Sequence, residues 1–175
     1  MKEIEVKVLD VDAVRIKETL VGLGASKVFE GFIQASLFDF PDGRLDRDNS
    51  FLRLRTKGDQ VELAFKKAIP NQVAKSYEEL EVQVSDPTVA LKIIESLGLM
   101  ETVRGRHKHR TSYSLDGAHF ELDTFDGMPT FLEIEVSDSG QLEKWVGLLG
   151  FSMKDAKAWG SREIYGHYGI EYPRV

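Results

Sequence analysis

Residues 51–67, FLRLRTKGDQVELAFKK, predict two β-strands joined by a tight turn. Apolar and charged side chains alternate along both halves, and alternation at every second residue places the charges on one face of a strand. Arg53 and Arg55 share such a face in the first half, and Glu62 and Lys66 share one in the second. The Gly-Asp pair between the halves suits a hairpin turn. The stretch therefore predicts a hairpin with one ionic face and one apolar face.

A second pattern recurs three times along the chain, and each copy leads into a helix. Glu3–Val6, Glu79–Val82 and Glu133–Val136 all read Glu-apolar-Glu-Val. Each is followed by an Asp or Ser suited to a helix N-terminus, then by an amphipathic stretch, and then by a glycine suited to the helix end. A last amphipathic stretch, about residues 155–168, is also predicted to be a helix. The repeat therefore predicts strands and helices in one recurring order.

Nearly every predicted strand carries one ionic face and one apolar face. Further strands are expected at Lys27–Phe40, Lys108–Leu115 and Ala118–Phe125. An open antiparallel sheet with one solvated face is one interpretation. We favour closure, because acids and bases are segregated by strand and because about eight strands tend to curl or close. We therefore predict an α+β fold over residues 1–175, a single domain in which an eight-stranded antiparallel closed β-barrel has helices packed on the outside.

Closure would turn the ionic faces into the lining of a lumen. Isolated charges are too costly to bury, so lumen charges pair, stay hydrated or coordinate a ligand. Cations suit a polyanion, and clustered carboxylates suit a hard divalent ion such as Mg²⁺ or Mn²⁺, so a phosphate chain carrying metal ions satisfies both. The acids on this face are Glu3, Glu5, Glu62, Glu79, Glu81, Glu121, Asp123, Glu133 and Glu135, and the bases are Lys7, Arg53, Arg55, Lys66, Lys108 and Arg110, with Arg106 as a candidate seventh.

The composition of the chain excludes several classes of function. Its formal net charge is −6, which argues against bulk binding to nucleic acid or to an anionic membrane. It contains no cysteine, so disulfides, thiolate metal sites and cysteine nucleophiles are excluded. No stretch approaches the roughly 18 apolar residues of a membrane helix, and the first residues lack the apolar segment of a signal peptide. We therefore expect a cytoplasmic protein without nucleic-acid or membrane partners.

The order of these residues resembles the CYTH superfamily, also called triphosphate tunnel metalloenzymes. Glu3-Ile4-Glu5-Val6-Lys7 is similar to the family's E-x-E-x-K motif, which alone is a weak pattern. The resemblance continues through Phe51-Leu52-Arg53-Leu54-Arg55, Lys66, Glu79-Leu80-Glu81, Lys108-His109-Arg110, Asp123 and Glu133-Ile134-Glu135, and this ordered set is specific. It spans nearly the whole chain. The resemblance implies an eight-stranded antiparallel tunnel with metal-dependent chemistry on triphosphates.

The resemblance also implies roles for individual residues. The bases that would hold the phosphates are Lys7, Arg53, Arg55, Lys66, Lys108 and Arg110. The acids that would hold or orient Mg²⁺ or Mn²⁺ are Glu3, Glu5, Asp123, Glu133 and Glu135, while Glu81 and Glu79 would either join this metal set or orient the bases. Lys66 and Asp123 are the predicted catalytic residues. Lys66 would stabilise charge on the leaving group, and Asp123 or a Glu of the third repeat would hold the metal that activates the attacking oxygen.

The family includes class IV adenylyl cyclases, thiamine triphosphatases and inorganic triphosphatases. Residues 34–39 lack the tyrosine that some of the inorganic triphosphatases pair with a lysine, and residues 41–45 are similar to the cyclase-like branch. The expected activity is therefore that of an adenylyl cyclase, a phosphorus–oxygen lyase that converts ATP to cyclic AMP and pyrophosphate. Hydrolysis of thiamine triphosphate or tripolyphosphate, and a non-catalytic polyphosphate-binding module, are the alternatives. The sequence does not choose among these triphosphates, nor between a monomer and a homodimer.

Overall fold

The computed structural model describes residues 2–70 and 73–175 of the chain. The strands in these ranges are β1 (Lys2–Val8), β2 (Ser26–Asp39), β3 (Ser50–Lys57), β4 (Gln60–Ala68), β5 (Lys75–Gln83), β6 (Met100–Leu115), β7 (Ala118–Phe125), β8 (Phe131–Val136) and β9 (Ala156–Lys157). The helices are α1 (Ala13–Gly22), α2 (Arg44–Arg47), α3 (Pro87–Ser96), α4 (Gly140–Leu148) and α5 (Ser161–His167). Each Glu-apolar-Glu-Val strand, namely β1, β5 and β8, is followed by a helix, as the repeat predicts.

The sheet closes into an antiparallel barrel. Its eight principal strands follow the order β5-β4-β3-β2-β6-β7-β8-β1, and β1 also pairs with β5, which completes the ring. In the closing pair Glu3 lies opposite Tyr77. Farther along β1 the short β9 pairs with the same edge at Lys7. The predicted eight-stranded closed barrel is therefore confirmed, while the assignment of residues 1–175 to a single domain stays a prediction.

Apolar packing on the outside of the barrel explains why the charged side chains face inward. Helices α1 and α4 bury Leu20 and Trp145 in a cluster that includes Phe120 and Ile134 from the strands beneath. The rings of Phe120 and Trp145 meet edge-on, with 5.2 Å between their centroids. Because neighbouring residues of a strand point to opposite faces, burial of these apolar residues against helices directs the alternate, ionic residues into the lumen.

Helices α1 and α3 begin after aspartate caps, the first of them at Asp12 rather than at the predicted Asp10. The carboxylates of Asp12 and Asp86 each accept hydrogen bonds from two backbone N–H groups in the first turns of α1 and α3. Pro87 occupies the first position of α3, where the missing N–H is tolerated. None of the helices in the described part of the chain is long and apolar enough to cross a membrane.

The predicted helix over residues 155–168 is wrong in its first half. Ala156–Lys157 forms the strand β9, and α5 covers only Ser161–His167. Two features explain the difference. The edge of β1 beyond β5 is free to pair with an extended segment, and the backbone N–H of Gly160 donates to the side chain of Glu163, which fixes the helix start after Gly160.

Strand β6 is longer than the sequence predicts. It begins at Met100 rather than at Lys108, because the end of the long strand β2 continues to pair with it. Register irregularities near Leu37 and Phe38 mark this extension. The C-terminal residues then join the same region, where Arg174 bridges to Val103. The lumen therefore has one end that is covered by α5 and the C-terminal segment.

Candidate active site in the barrel lumen

The barrel encloses a cavity of about 580 Å³ whose lining is mainly charged. Directly paired residues of neighbouring strands point to the same face of a sheet, so the register fixes which side chains share the lumen. The acids in the lining are Glu3, Glu5, Asp46, Glu62, Glu79, Glu81, Glu121, Glu133, Glu135 and Glu163, and the bases are Lys7, Arg53, Arg55, Lys57, Lys66, Lys75, Arg106, Lys108, Arg110 and Arg162. The apolar residues of the same strands face outward, as the alternation predicts.

The two signs of charge are concentrated on different walls. The neighbouring strands β1, β8 and β7 supply half of the lining carboxylates, whereas β3 and β6 supply most of the arginines and lysines. β3 and β6 flank β2, where Ala35 lies opposite both Arg55 and Arg106 in the register. Because Ala35 is small, the basic side chains on either side have room to converge above it. A basic wall therefore faces an acidic wall across the cavity.

Three carboxylates from two adjacent strands form the densest acidic group, which we call the carboxylate cluster. Oxygen atoms of Glu121, Asp123 and Glu133 lie within 4.8 Å of one another, and all three residues are buried. Arg110 contacts all three: its Nε lies 2.6 Å from Asp123 Oδ1, and its Nη2 lies 3.8 Å from Glu133 Oε2. Lys7 lies 3.1 Å from Glu133. Clustered carboxylate oxygens are the donors that hard divalent cations prefer, so these residues fit Mg²⁺ or Mn²⁺.

Asp123 is fully buried at the centre of this cluster. It accepts hydrogen bonds from Arg110 and from Lys108 Nζ, the latter at 2.6 Å. Burial alone would raise the pKa of Asp123, but the charges of Arg110 and Lys108 outweigh burial and lower this pKa. Burial, followed by repulsion from Arg110, lowers the pKa of Lys108 to about 7. Asp123 is therefore held ionised, whereas Lys108 titrates near neutral pH.

A second group of ion pairs joins β1, β3, β4 and β5. Lys66 Nζ contacts Glu3 and lies 3.0 Å from Glu79. Arg53 Nη2 lies 3.1 Å from Glu79 and 3.4 Å from Glu81. Burial and the hydrogen bond with Glu79 raise the pKa of Glu3 to about 8. For Glu79, burial is overcome by the same hydrogen bond and by the charges of Lys66 and Arg53, which lower its pKa to about 2. The hydrogen bond between Glu3 and Glu79 therefore moves the two pKa values in opposite directions.

Several lumen cations retain donors for an anion. The Nε of Arg53 is buried, and it has no hydrogen-bond partner within the described residues. A buried donor left in this state costs about 1–3 kcal/mol, so a ligand oxygen there would be favourable. Within residues 2–70 and 73–175, neither Lys75 nor Arg106 has a carboxylate within 4.0 Å, and Arg106 donates instead to the hydroxyls of Ser161 and Tyr172. Within the described residues these two cations are therefore not neutralised by a direct ion pair.

The predicted site residues all lie on the inner face of the sheet, in two groups. Around the carboxylate cluster lie Glu5, Lys7, Lys108, Arg110, Asp123 and Glu133, and in the second group lie Glu3, Arg53, Arg55, Lys66 and Glu81. Glu135 lies opposite Glu5 in the register, and burial followed by the charge of Glu133 raises its pKa. Glu81 is exposed and contacts Arg53 and Arg55, and both of its predicted roles stay predictions.

The site prediction omits several residues that line the lumen. Glu121 completes the carboxylate cluster; the alternation of side chains placed it on the ionic face, but it was not assigned to the metal set. Lys75 and Tyr77 line the cavity from β5, and they share the strand face of Glu79. The Tyr77 ring centre lies 5.4 Å from Lys66 Nζ. A lysine and a tyrosine are therefore close together in the lumen, although the tyrosine is not on the strand after the first helix.

The lowered pKa values predict a protein that loses stability in acid. The pKa values of Asp123 and Glu133 are lowered because nearby cations overcome the effect of burial. The two carboxylates therefore stabilise the fold fully above their unfolded pKa values, which are about 4. This stabilisation is lost as the pH falls through the lower pKa values of the folded state. Glu3 has the opposite sign: its pKa is raised to about 8, so its contribution is fully present below its unfolded pKa, about 4, and is lost as the pH rises from there towards the folded value. Thermal melting without metal from about pH 2 to 7, a range that ends where Lys108 titrates, should show a maximum near pH 4, and a flat profile would contradict the two groups of contacts.

A closed antiparallel barrel whose lumen sets cations against a carboxylate cluster defines a protein of the tunnel type. The CYTH domain family matches residues 1–147 of this sequence, and the chain belongs to that family.

Individual relatives agree with this assignment. A protein of Methanocaldococcus jannaschii, provisionally named an adenylate cyclase, is 28% identical over 144 residues, which is 82% of each chain. The structure of the PH1012 protein from Pyrococcus horikoshii OT3 is 28% identical and superposes with a TM-score of 0.74, covering 92% of this chain and 98% of that one. A Hippeastrum protein, described as a provisional adenylyl cyclase with a dominant triphosphatase activity, is 20% identical and superposes with a TM-score of 0.64 over 98% of both chains. This last likeness concerns the fold alone.

Proposed function

We propose that this protein is a divalent-metal-dependent enzyme acting on a triphosphate, of the adenylyl cyclase type, which converts ATP to cyclic AMP and pyrophosphate. The observation that carries the proposal is that one cavity contains both a basic wall, in which the buried Nε of Arg53 has no hydrogen-bond partner among the described residues, and a cluster of three carboxylates. The family and the name of the Methanocaldococcus relative support it.

In this proposal the basic wall binds the phosphate chain. Arg53 offers a buried Nε without a partner, and Lys66 supplies a compact charge beside it. Lys7, Arg55, Lys108 and Arg110 complete the phosphate-binding set from neighbouring strands. Arginine presents a planar fork that matches phosphate oxygens, and lysine provides a point charge. Phosphate oxygens would take over donors that now contact Glu79 and Glu81, so binding exchanges one set of charged partners for another.

The carboxylate cluster would hold the metal. Glu121, Asp123 and Glu133 offer oxygens close enough to share one ion, and Glu3, Glu5 and Glu135 extend the acidic wall on both sides. When bound, Mg²⁺ or Mn²⁺ supplies positive charge to the phosphate oxygens and to the attacking oxygen. Arg110 and Lys108 hold Asp123 ionised and in place.

The chemical step joins the two walls. In the cyclase reaction the ribose 3′-hydroxyl loses its proton to water as its oxygen attacks the α-phosphorus, the bond from that phosphorus to the bridging oxygen breaks, and pyrophosphate leaves. Lys66 and Arg53 would stabilise the charge that develops on the leaving pyrophosphate, because preorganised cations in a cavity largely shielded from water stabilise developing charge strongly. Asp123 would act through the position of the metal, as the resemblance implies.

Hydrolysis of a triphosphate is the second candidate, and one contact favours it. Lys66 Nζ lies 5.4 Å from the Tyr77 ring centre, so the lumen holds a lysine near a tyrosine. The Hippeastrum neighbour is described by its dominant triphosphatase activity. In hydrolysis water attacks a terminal phosphorus, and the same cations and carboxylates would serve. Thiamine triphosphate and tripolyphosphate are then the alternatives to ATP.

Product analysis separates these reactions. The protein is incubated with ATP, thiamine triphosphate or tripolyphosphate, each with Mg²⁺ or Mn²⁺, and cyclic AMP, pyrophosphate and free phosphate are measured. We expect cyclic AMP and pyrophosphate in equal amounts from ATP, and none when the metal is chelated. Free phosphate without cyclic AMP would replace the cyclase with the hydrolase. Tight binding without any product would favour the non-catalytic polyphosphate-binding module. Cytoplasmic location and the choice between monomer and homodimer stay predictions.

A further inference from the structure

A second cavity, of about 450 Å³, lies on the outer face of the barrel, and we call it the outer cavity. Ser36 and Leu54 lie opposite each other in the pairing of β2 with β3, and both line it. The adjacent pair, Ala35 and Arg55, belongs to the lumen face, so alternation turns Ser36 and Leu54 outward. The lining consists of Ser36, Phe38, Leu54, Leu91, Glu95, Leu99, Met100, Glu101, Arg104 and Val175, and it has no residue in common with the lining of the lumen.

The floor of the outer cavity is apolar, and so are two of its sides. Phe38 is buried and packs with Leu99 and with Ile94 of α3. Leu91, three positions before Ile94 on the same helix, is 36% exposed, and Met100 is 50% exposed, although both line the cavity. The volume lies in the range of small-molecule sites, about 300–1,000 Å³, which are mostly apolar with a few polar groups. A ligand with an apolar body would therefore gain from burial here.

The rim of the outer cavity carries one carboxylate in excess. Arg104 and Glu101 form an ion pair, with 2.6 Å between Nε and Oε2. Glu95 lies one helical turn after Leu91 and lines the same cavity. Within residues 2–70 and 73–175, the Glu95 side chain has no ion pair and no hydrogen bond. Because the base of this lining is already paired, the charge that remains is negative, and it would attract a cation and repel an anion.

We propose that the outer cavity is a binding site for a small organic cation with an apolar body, such as an alkyl ammonium ion. The apolar body lies on Phe38, between Leu91 and Met100, and the ammonium group lies beside Glu95. Burial of the apolar body supplies most of the affinity, and the Glu95 carboxylate selects the sign of the head group. Since the outer cavity and the lumen have no lining residue in common, such a ligand binds independently of any anion in the lumen.

A pair of probes with the same chain and opposite charge tests this site. Hexyltrimethylammonium and hexanesulfonate are titrated into protein labelled with ¹³C in its methionine methyl groups, and the NMR shifts give both the place of binding and the dissociation constant. Among the methionines that the structure describes, Met100 is the one that lines the outer cavity, and Met100→Leu assigns its signal. The cation should shift the Met100 methyl with a dissociation constant at least about threefold below that of the anion, since one exposed carboxylate contributes about this much.

Three variants separate the contributions of charge and apolar surface. Glu95→Gln should bring the two dissociation constants within twofold of each other, whereas Glu143→Gln, the same change at an exposed residue of α4, should leave their ratio unchanged. Leu91→Ala should weaken both probes about fourfold, as expected for loss of contact with about one methylene group. Thermal melting shows whether each variant is folded, and Glu95→Gln decides if Leu91→Ala unfolds.

Several results would overturn this site. One is a Met100 methyl that neither probe shifts at millimolar concentration, and another is a ratio of affinities that Glu95→Gln leaves as it is. A third concerns the carboxylates of the lumen, which could also attract a cation. Saturating tripolyphosphate with Mg²⁺ should change the dissociation constant of hexyltrimethylammonium by less than twofold, and competition between them would place the cation in the lumen instead. None of these results bears on the proposed function, which is tested by its products.

Discussion

A Glu133→Gln protein is expected to lose at least about 100-fold in metal-dependent turnover of its triphosphate, since even partners of metal ligands commonly contribute 10–100-fold. Glu133 belongs to the carboxylate cluster and also lies 3.1 Å from Lys7, so its charge serves both the candidate metal and the base next to it. The amide keeps the size of the side chain but removes the negative charge. Steady-state turnover measured over a range of Mg²⁺ concentrations should show a higher requirement for metal as well as a lower maximal rate.

The matched control for this substitution lies on the outside of the barrel. Glu143 is exposed on α4, and Glu143→Gln makes the same chemical change away from the lumen. It should leave both the rate and the metal requirement unchanged. A Glu133→Gln protein that turned over substrate at the wild-type rate, with an unchanged dependence on Mg²⁺, would remove this carboxylate from the metal site.

The alternation of side chains made the ionic lumen predictable from sequence. Arg53 and Lys66 face inward because the residues on the opposite face of their strands are apolar. Two of these apolar residues, Leu52 and Leu63, pack beneath α3 with Ile94. Such alternation is a local property, so it can be read without knowing how the strands pair. The hairpin contact of Arg110 with Asp123 is almost as local, because the turn between β6 and β7 fixes its register.

Contacts that depend on the closure of the barrel could not be predicted from the sequence. Lys66 meets Glu3 because β1 and β4 both border β5, and nothing in either strand alone encodes that register. Tyr77 lies beside Lys66 through the pairing of β4 with β5, so a search for tyrosine on the strand after the first helix missed it. The final helix was overextended for a related reason, since residues 156–157 become a strand only where β1 offers a free edge. The alternation of side chains in the sequence determines which face of the sheet a residue occupies, and the closure of the barrel determines which residues of other strands lie next to it.

Replacing Arg110 by methionine is expected to produce the largest loss of stability in the lumen. Arg110 is buried and contacts Glu121, Asp123 and Glu133, so its removal leaves a group of buried carboxylates without their main cation. Breaking a buried ion pair in this way typically costs about 3–5 kcal/mol in the free energy of unfolding. Without Arg110 the pKa values of these carboxyls should rise, so the variant should be most stable at lower pH than the wild type.

Divalent metal should partly rescue the Arg110→Met protein, because an ion bound by the carboxylate cluster replaces the missing positive charge. Chemical denaturation with and without Mg²⁺ measures this, and the stabilisation by Mg²⁺ should be larger in the variant than in the wild type. Arg104→Met is the matched control: its side chain is 69% exposed and pairs with Glu101, so the free energy of unfolding should change by less than about 0.5 kcal/mol. Equal losses in the two variants, or the same Mg²⁺ effect in variant and wild type, would mean that the carboxylates neither depend on Arg110 nor bind the ion in its place.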